Sequence, residues 1–433
     1  MDHYQVKKSY LTGEISVPAS KSHTLRAILF GAMAHGKSII HGHLNSTDTQ
    51  AMIEACRHFG AKLDVYPDRI EIDGLNGKIE HTEDVINAGN SGIVLRFGAA
   101  IGALAKNPVV ITGDHSIRHQ RPVKPLLDGL SQLGVKTTSM RGDGYAPIII
   151  QGPLKSGKVQ IDGQDSQPVS ALLIASAFAE GPIEINVDNP GEIPWISLTL
   201  NWLDRLGIPY ENIDFKQYRL KGNCSYKGFE YHVPGDLSSA AFPIAAALVT
   251  NSEVTVKNVD MHDSQGDKEL IAVFQQMGAN IEIDEKNKSL HVKKGTALKG
   301  VSVDINDFVD AITILSVVAC YAEGETHIYN AAIAKQKECN RINCIATELQ
   351  KMGANITETV DGLRIRKSAL IGADVESYND HRMAMSLSVA AMGAEGNTKV
   401  SPVECISKTF PTFLRDFITL GADMQRDTVK DQK

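Results

Sequence analysis

The run Thr49-Gln50-Ala51-Met52-Ile53-Glu54-Ala55-Cys56-Arg57-His58-Phe59-Gly60 decides the fold, because it reads as an amphipathic helix stopped by an apolar residue and a glycine. Apolar and polar positions alternate at helical spacing, so one face is wet. The same ending recurs as Gln132-Leu133-Gly134, Arg205-Leu206-Gly207, Gln276-Met277-Gly278, Lys351-Met352-Gly353 and Thr419-Leu420-Gly421. Subtracting successive glycine numbers gives steps of 74, 73, 71, 75 and 68 residues. Five of the six endings run on into short alternating segments that read as strands. A second ladder consists of alanine-rich helices closed by Gly36, Asn107, Gly181, Asn251, Gly324 and Gly396, in steps of 71, 74, 70, 73 and 72. Its stretches at 27–34, 171–179, 240–249, 311–322 and 383–394 are small and apolar nearly all round, which predicts burial. Each closing Gly or Asn is expected to supply a left-handed stop. Two independent markers share one period, and 433 residues divided by six is about 72. The chain therefore reads as six copies of one α/β unit.

A chain of 433 residues exceeds one ordinary core, so two domains or a repeat array are expected. With 42% hydrophobic and 22% charged residues the composition is globular. The segment 1–8 is charged without an apolar core, and no stretch reaches the roughly 18 apolar residues of a membrane span. The reading is a cytoplasmic protein with no membrane partner. Cys56, Cys224, Cys320, Cys339, Cys344 and Cys405 are scattered without a CxxC pair, so neither disulfides nor a metal site is suggested. A net charge of −7 argues against nucleic acid but leaves small anions open, provided that lysines and arginines gather in one cleft.

Polar residues precede each buried helix: Lys21-Ser22, Asn90-Ser91-Gly92, Asp165-Ser166-Gln167, the stretches 236–239 and 307–310, and Asn379-Asp380-His381-Arg382. Capping explains the Ser, Asn and Asp. It does not explain Lys21 and Arg382. A cation at a helix start opposes the helix dipole by up to about 1 kcal/mol unless an anion sits between them.

The segment Pro18-Ala19-Ser20-Lys21-Ser22-His23-Thr24-Leu25-Arg26 resembles the amino-terminal signature of the EPSP synthases, members of the enolpyruvyl transferase family. Further matches follow in register: Asn90-Ser91-Gly92 with Arg96, Arg121-Pro122, Asp165-Ser166-Gln167, Gln265-Gly266-Asp267, Asp310, Lys337-Glu338 with Arg341, Tyr378-Asn379-Asp380-His381-Arg382, and Lys408-Thr409-Phe410-Pro411. The resemblance implies an α/β fold, a two-domain inside-out α/β barrel of six repeated units, three per domain. It places one domain at 21–235, the other at 1–20 plus 236–433, and the active site in the cleft between them. The implied activity moves the enolpyruvyl group of phosphoenolpyruvate to the 5-hydroxyl of shikimate 3-phosphate, in aromatic amino acid (chorismate) biosynthesis, without a cofactor and as a monomer.

Carried over residue by residue, the family pattern assigns phosphoenolpyruvate to Lys21, Gly92, Arg121, Gln167, Arg341, Arg382 and Lys408. It assigns shikimate 3-phosphate to Lys21, Ser22, Arg26, Ser166, Gln167, Asp310 and Lys337. Asp310 would take the proton of the 5-hydroxyl and Glu338 would serve the methylene carbon, with Lys21 as a third catalytic group. Arg96 reads equally well as a structural ion-pair partner, whereas His381 reads as a hydrogen-bonded helix-start histidine in preference to a catalytic one.

Several positions depart from the family pattern. Asp165 and Glu192 stand where serines that bind the acceptor's phosphate are usual, Ile333 replaces a polar residue, and Trp195 replaces tyrosine. The two carboxylates are expected to point away, pair with a cation, or mark an acceptor without that phosphate. Ile93 and Phe97 enlarge side chains behind Gly92, which implies weakened inhibition by glyphosate. Three rival readings remain. A UDP-N-acetylglucosamine enolpyruvyl transferase would carry a cysteine in the loop 112–120, which has none. An RNA 3'-phosphate cyclase relative would be basic. A non-catalytic anion-binding homologue would have no need of paired carboxylates.

Overall fold

The computed structural model describes residues 2–79, 82, 84–295 and 297–428. These residues form two compact units, one spanning Ala19–Val233 and the other Met1–Pro18 together with Pro234–Lys433.

Both units are built from one repeated motif, and the repeat containing Asn90-Ser91-Gly92 shows how it forms. A short strand, Ile86–Asn87, leads to Ser91, whose hydroxyl caps the buried helix Gly92–Gly102 by accepting from the Val94 N–H at 3.3 Å. The strand Val109–Thr112 follows, then the amphipathic helix Lys124–Gln132 and the hairpin Lys136–Ser139/Ile148–Gln151. In the resulting sheet 86–87 runs parallel to 109–112, while 109–112 and 136–139 both run antiparallel to 148–151. Ile148 and Ile150 point into the core and alternate with half-buried Ile149 and Gln151. Six such four-stranded sheets occur among the described residues, all with this order and sense.

The amphipathic helices end as the sequence predicts. Gly60, Gly134, Gly207, Gly278, Gly353 and Gly421 all adopt positive φ, between 66° and 105°. A strand follows each of the six, including Met424–Thr428 after the last. The second ladder needs correction. Gly36, Asn251, Gly324 and Gly396 are left-handed, whereas Asn107 and Gly181 are not. After Gly92–Gly102 the chain winds on through Leu104 and Ala105, whose N–H groups reach back to the Ile101 and Gly102 carbonyls, so the reversal is complete before Asn107. After Ser166–Phe178 the chain leaves through extended Ala179, as other helices of the ladder do at Ala34 and Ala394, but Gly181 stands before Pro182, which pushes the preceding residue toward an extended conformation. The expected helix at 311–322 is also shorter: a 3-10 turn, Asn306–Ala311, kinked at Phe308, precedes Ile312–Ala319.

Each unit has its own apolar core. In one, the buried helices Leu237–Val249, Ile312–Ala319 and His381–Gly393 pack against one another. In the other, Gly92–Gly102 packs along Ser166–Phe178. Distant segments complete the sheets. Glu230–His232 adds parallel to His35–His41, Thr12–Ser16 adds parallel to Glu253–Lys257, and Asp2–Lys7 inserts between Asn397–Ser401 and Met424–Thr428.

Candidate active site

In the unit that holds Pro234–Lys433, the predicted residues converge on one guanidinium. Asn340 caps the helix Arg341–Lys351, which fixes Arg341 at its first turn with 1% of its surface exposed. Its Nε donates to Asp380 Oδ2 at 2.7 Å, Nη1 to Asp310 Oδ1 at 2.7 Å, and Nη2 to Glu338 Oε2 at 2.7 Å and to Asp380 Oδ1 at 3.2 Å. Asp310 turns its other oxygen to Arg382 Nη2 at 3.0 Å. Glu338 turns its other oxygen to Lys408 Nζ at 2.9 Å. Asp310, Glu338, Arg341, Arg382 and Lys408 therefore form one alternating chain of charge. Lys337, also buried, acts electrostatically on Asp310.

Burial pushes the Asp310 carboxyl up, but Arg382, Arg341 and Lys337 outweigh it and hold the group well below the usual carboxylate range. Burial opposes the charge of Arg341, yet Asp380, Glu338 and Asp310 keep it protonated far above ordinary pH. Asp310 is thus ionised and poorly basic while both arginines hold it. Behind it lies Asp267, whose carboxyl burial pushes up to about 6; Arg382 pulls the value down and Asp310 pushes it further up. The Ser238 hydroxyl donates to Asp267.

The Ala19–Val233 unit holds the remaining predicted residues. Ser20 caps the helix Lys21–Met33, and Lys21 in its first turn lies 3.7 Å from buried Asp48. The two cations that break the capping rule, Lys21 and Arg382, thus each face a carboxylate of the protein. At the start of Gly92–Gly102 there is no room for a side chain: a Cβ on Gly92 would stand 2.5 Å from Arg121 Nη2 and 2.8 Å from Arg96 Nη1. Arg96 Nη2 pairs with Asp165 at 3.1 Å and Nη1 donates to Gln167 Oε1 at 3.0 Å, which gathers Gly92, Arg121, Asp165 and Gln167.

Arg26 is buried and donates through Nε and Nη2 to Thr199 Oγ1 at 3.1 and 2.9 Å. Further contacts reach the Ser22 and Trp195 carbonyls, and the guanidinium lies 5.1 Å from the Phe97 ring centre. Burial lowers its pKa to about 9. Phe97 is therefore the platform for Arg26. Ser166 carries Glu192 on both its N–H and its hydroxyl, each at 3.0 Å. Asp380 caps its helix as the sequence predicts, accepting from the Arg382 N–H at 2.8 Å, but its pairing with Arg341 was not foreseen; Asp267 was matched as part of the family motif, and Asp48 was overlooked. Only the unexplained charge of Lys21 pointed toward a nearby carboxylate.

Comparisons with known proteins agree on one class, that of the enolpyruvyl transferases. By structure the chain is similar to EPSP synthase from Acinetobacter baumannii, with a TM-score of 0.82, 26% identity, and coverage of 99% of this chain and 100% of that one. The fold alone is shared with the enolpyruvyl transferase NikO from Streptomyces tendae, at a TM-score of 0.78 and 18% identity over 99% of each chain. Among curated relatives, the 3-phosphoshikimate 1-carboxyvinyltransferase of Acetivibrio thermocellus is 42% identical over 97% of this chain and 98% of its own length. That of Chlamydia abortus is 43% identical over 98% and 94%. The sequence model of the family described as EPSP synthase (3-phosphoshikimate 1-carboxyvinyltransferase) matches residues 6–417, and the chain belongs to that family.

Proposed function

We propose that this enzyme transfers the enolpyruvyl group of phosphoenolpyruvate to the 5-hydroxyl of shikimate 3-phosphate and releases phosphate by addition and elimination. The carrying observation is the alternating chain in which Arg341, Arg382 and Lys408 hold Asp310 and Glu338. Such a chain stores cations against ligands that bring their own negative charge. When the carboxylate and phosphate of phosphoenolpyruvate draw Arg341 and Arg382 away, Asp310 loses its stabilising partners and its basicity rises toward that of an ordinary carboxylate. It then accepts the proton of the 5-hydroxyl as that oxygen attacks C2. Glu338 relays a proton from the adjacent Lys408 ammonium to the methylene carbon, then takes one back from the resulting methyl group and returns it to Lys408, while phosphate leaves with the proton that Asp310 took from the hydroxyl.

On this reading Lys21, Arg121 and Gln167 contribute further contacts to phosphoenolpyruvate, Gly92 allows its close approach, and Lys21 neutralises the departing phosphate. Ser22, Arg26, Ser166, Gln167 and Lys337 serve the acceptor. The proposal includes a cytoplasmic monomer; no described helix is long and apolar enough to cross a membrane. Phosphate release from phosphoenolpyruvate tests the reaction, with shikimate 3-phosphate, UDP-N-acetylglucosamine or no acceptor present. Release that depends on shikimate 3-phosphate is expected. Release with the sugar nucleotide instead, or none with any acceptor, overturns the reading.

A further inference from the structure

We propose that Glu192 selects the acceptor: its carboxylate is an internal anion that occupies the start of the Ser166–Phe178 helix and competes with any anionic group of the acceptor for Ser166. The helix is 13 residues long and begins on Ser166, so its first free N–H groups and dipole favour a negative charge there. Glu192 supplies that charge, with Oε2 accepting from the Ser166 N–H and from the Ser166 hydroxyl, both at 3.0 Å. Two anions cannot accept from the same N–H and hydroxyl at once.

Three features mark this as a specific placement. Glu192 is 2% exposed, so its charge is desolvated. Its backbone sits at φ 47°, ψ 42°, a left-handed conformation that costs an L-residue with a side chain roughly 1–2 kcal/mol. The surroundings hold it there: the Gly191 N–H donates to the Gly163 carbonyl at 3.0 Å, and the Trp195 N–H to the Glu192 carbonyl at 2.9 Å. A glycine at this position would relax the backbone and remove the buried charge.

The charges of Asp165, Arg96 and Arg26 have partners of their own. Asp165 caps through the Gln167 N–H at 3.0 Å and pairs with Arg96, so it is satisfied without Ser166. Arg96 is shared among Asp165, Gln167 and the Pro122 carbonyl, and Arg26 donates to Thr199 and to backbone oxygens. A phosphate arriving at Ser166 therefore has to evict Glu192 first, whereas a neutral hydroxyl does not compete for an anion position. This inference rests on the reading that Ser166 meets the acceptor.

The test compares wild type with Glu192→Gln, which keeps size and removes charge, and with Glu192→Gly, which suits the left-handed backbone. The KM for shikimate 3-phosphate and for shikimate is measured alongside calorimetric Kd for both, so that binding is read independently of turnover. Removal of the competing charge is expected to tighten shikimate 3-phosphate by about tenfold or more while shikimate changes by less than about twofold. If shikimate 3-phosphate binds both variants no better than wild type, or if the two acceptors shift together, the proposal fails. If no protein turns over either acceptor, the reaction reading fails, yet the calorimetric contrast still decides the role of Glu192. Circular dichroism identifies a variant that does not fold; the other then carries the comparison.

Discussion

At the scale of single residues, the site is organised by a conflict between burial and charge. Arg341 carries three carboxylates on one buried guanidinium, an arrangement that holds only while every partner stays in place. Asp310→Asn keeps the shape and removes the proposed base, so kcat is expected to fall by about 10²–10⁴-fold with a smaller change in KM for phosphoenolpyruvate, read by steady-state phosphate release. Gly92→Ala should do the reverse. Its methyl group would stand 2.5 Å from Arg121 Nη2, and the guanidinium has to move, so the KM for phosphoenolpyruvate should rise by about tenfold or more with kcat less affected. Asp267 titrates in an unusual sense. Its folded value of about 6 lies above the ordinary 3.8, so the folded state binds the proton more tightly than the unfolded state does. Its contribution is complete below pH about 4 and is lost as pH rises through about 6, a loss on the order of 3 kcal/mol at most. Asp310 acts in a separate window, because its lowered value costs stability only as pH falls below the ordinary carboxylate range. Asp267→Asn is therefore expected to flatten the fall in stability between pH about 4 and 6, measured by urea unfolding at a series of pH values.

At the scale of elements, the six repeats are held together by places where backbone meets backbone. Gly152 follows the strand Ile148–Gln151, and a Cβ there would stand 2.0 Å from the Ala103 carbonyl oxygen that ends the buried helix, and 2.6 Å from that of Ala105. Neither atom can yield without unwinding the helix end. Gly36 differs, because nothing lies within 4 Å of its Cβ and only its φ of 85° resists substitution. Gly152→Ala is expected to cost about 3 kcal/mol or more and Gly36→Ala about 1 kcal/mol, both read from denaturant midpoints. The same contrast explains what the sequence could reveal. Amphipathic spacing and a terminal glycine are local signals, so Gly60 and its five equivalents were legible as left-handed stops. Asn107 and Gly181 were misread although each stands directly before a proline, Pro108 and Pro182, which pushes the preceding residue toward an extended conformation, and the four left-handed positions of that ladder have no such neighbour. Within the site, Lys21 and Arg382 were visible as charges out of place, whereas Arg341 and Lys408 were assigned only through the family resemblance. The carboxylates that answer them were less visible, because Asp48 and Asp380 resemble ordinary helix-start residues until the fold brings them to their partners. Glu192 at a left-handed position has no local signal at all.

At the scale of the whole molecule, the chain crosses between its units twice, at Pro18/Ala19 and Val233/Pro234, and the consequences for the two units are unequal. The Ala19–Val233 unit is continuous and closes its own first sheet with Glu230–His232. The other unit depends on the amino terminus. Asp2–Lys7 is an inner strand, paired to Asn397–Ser401 on one side and Met424–Thr428 on the other, and Tyr4 stacks on Phe413 with ring centres 6.5 Å apart. Tyr4, Val6, Leu11, Ile15 and Val17 are all buried in that core. At about 1.5–3 kcal/mol for each buried side chain, their sum rivals the net stability of a whole domain. A fragment of residues 19–233 is therefore expected to unfold cooperatively in urea, whereas residues 234–433 alone should lack a sharp transition and regain one when a peptide of residues 1–18 is added. Both tryptophans, Trp195 and Trp202, lie in the continuous unit. Tryptophan fluorescence of the intact chain thus follows that unit alone while far-ultraviolet circular dichroism follows both. Deleting residues 1–18 should leave the fluorescence transition in place and remove part of the dichroism transition; loss of both together would show that the continuous unit cannot stand without the other.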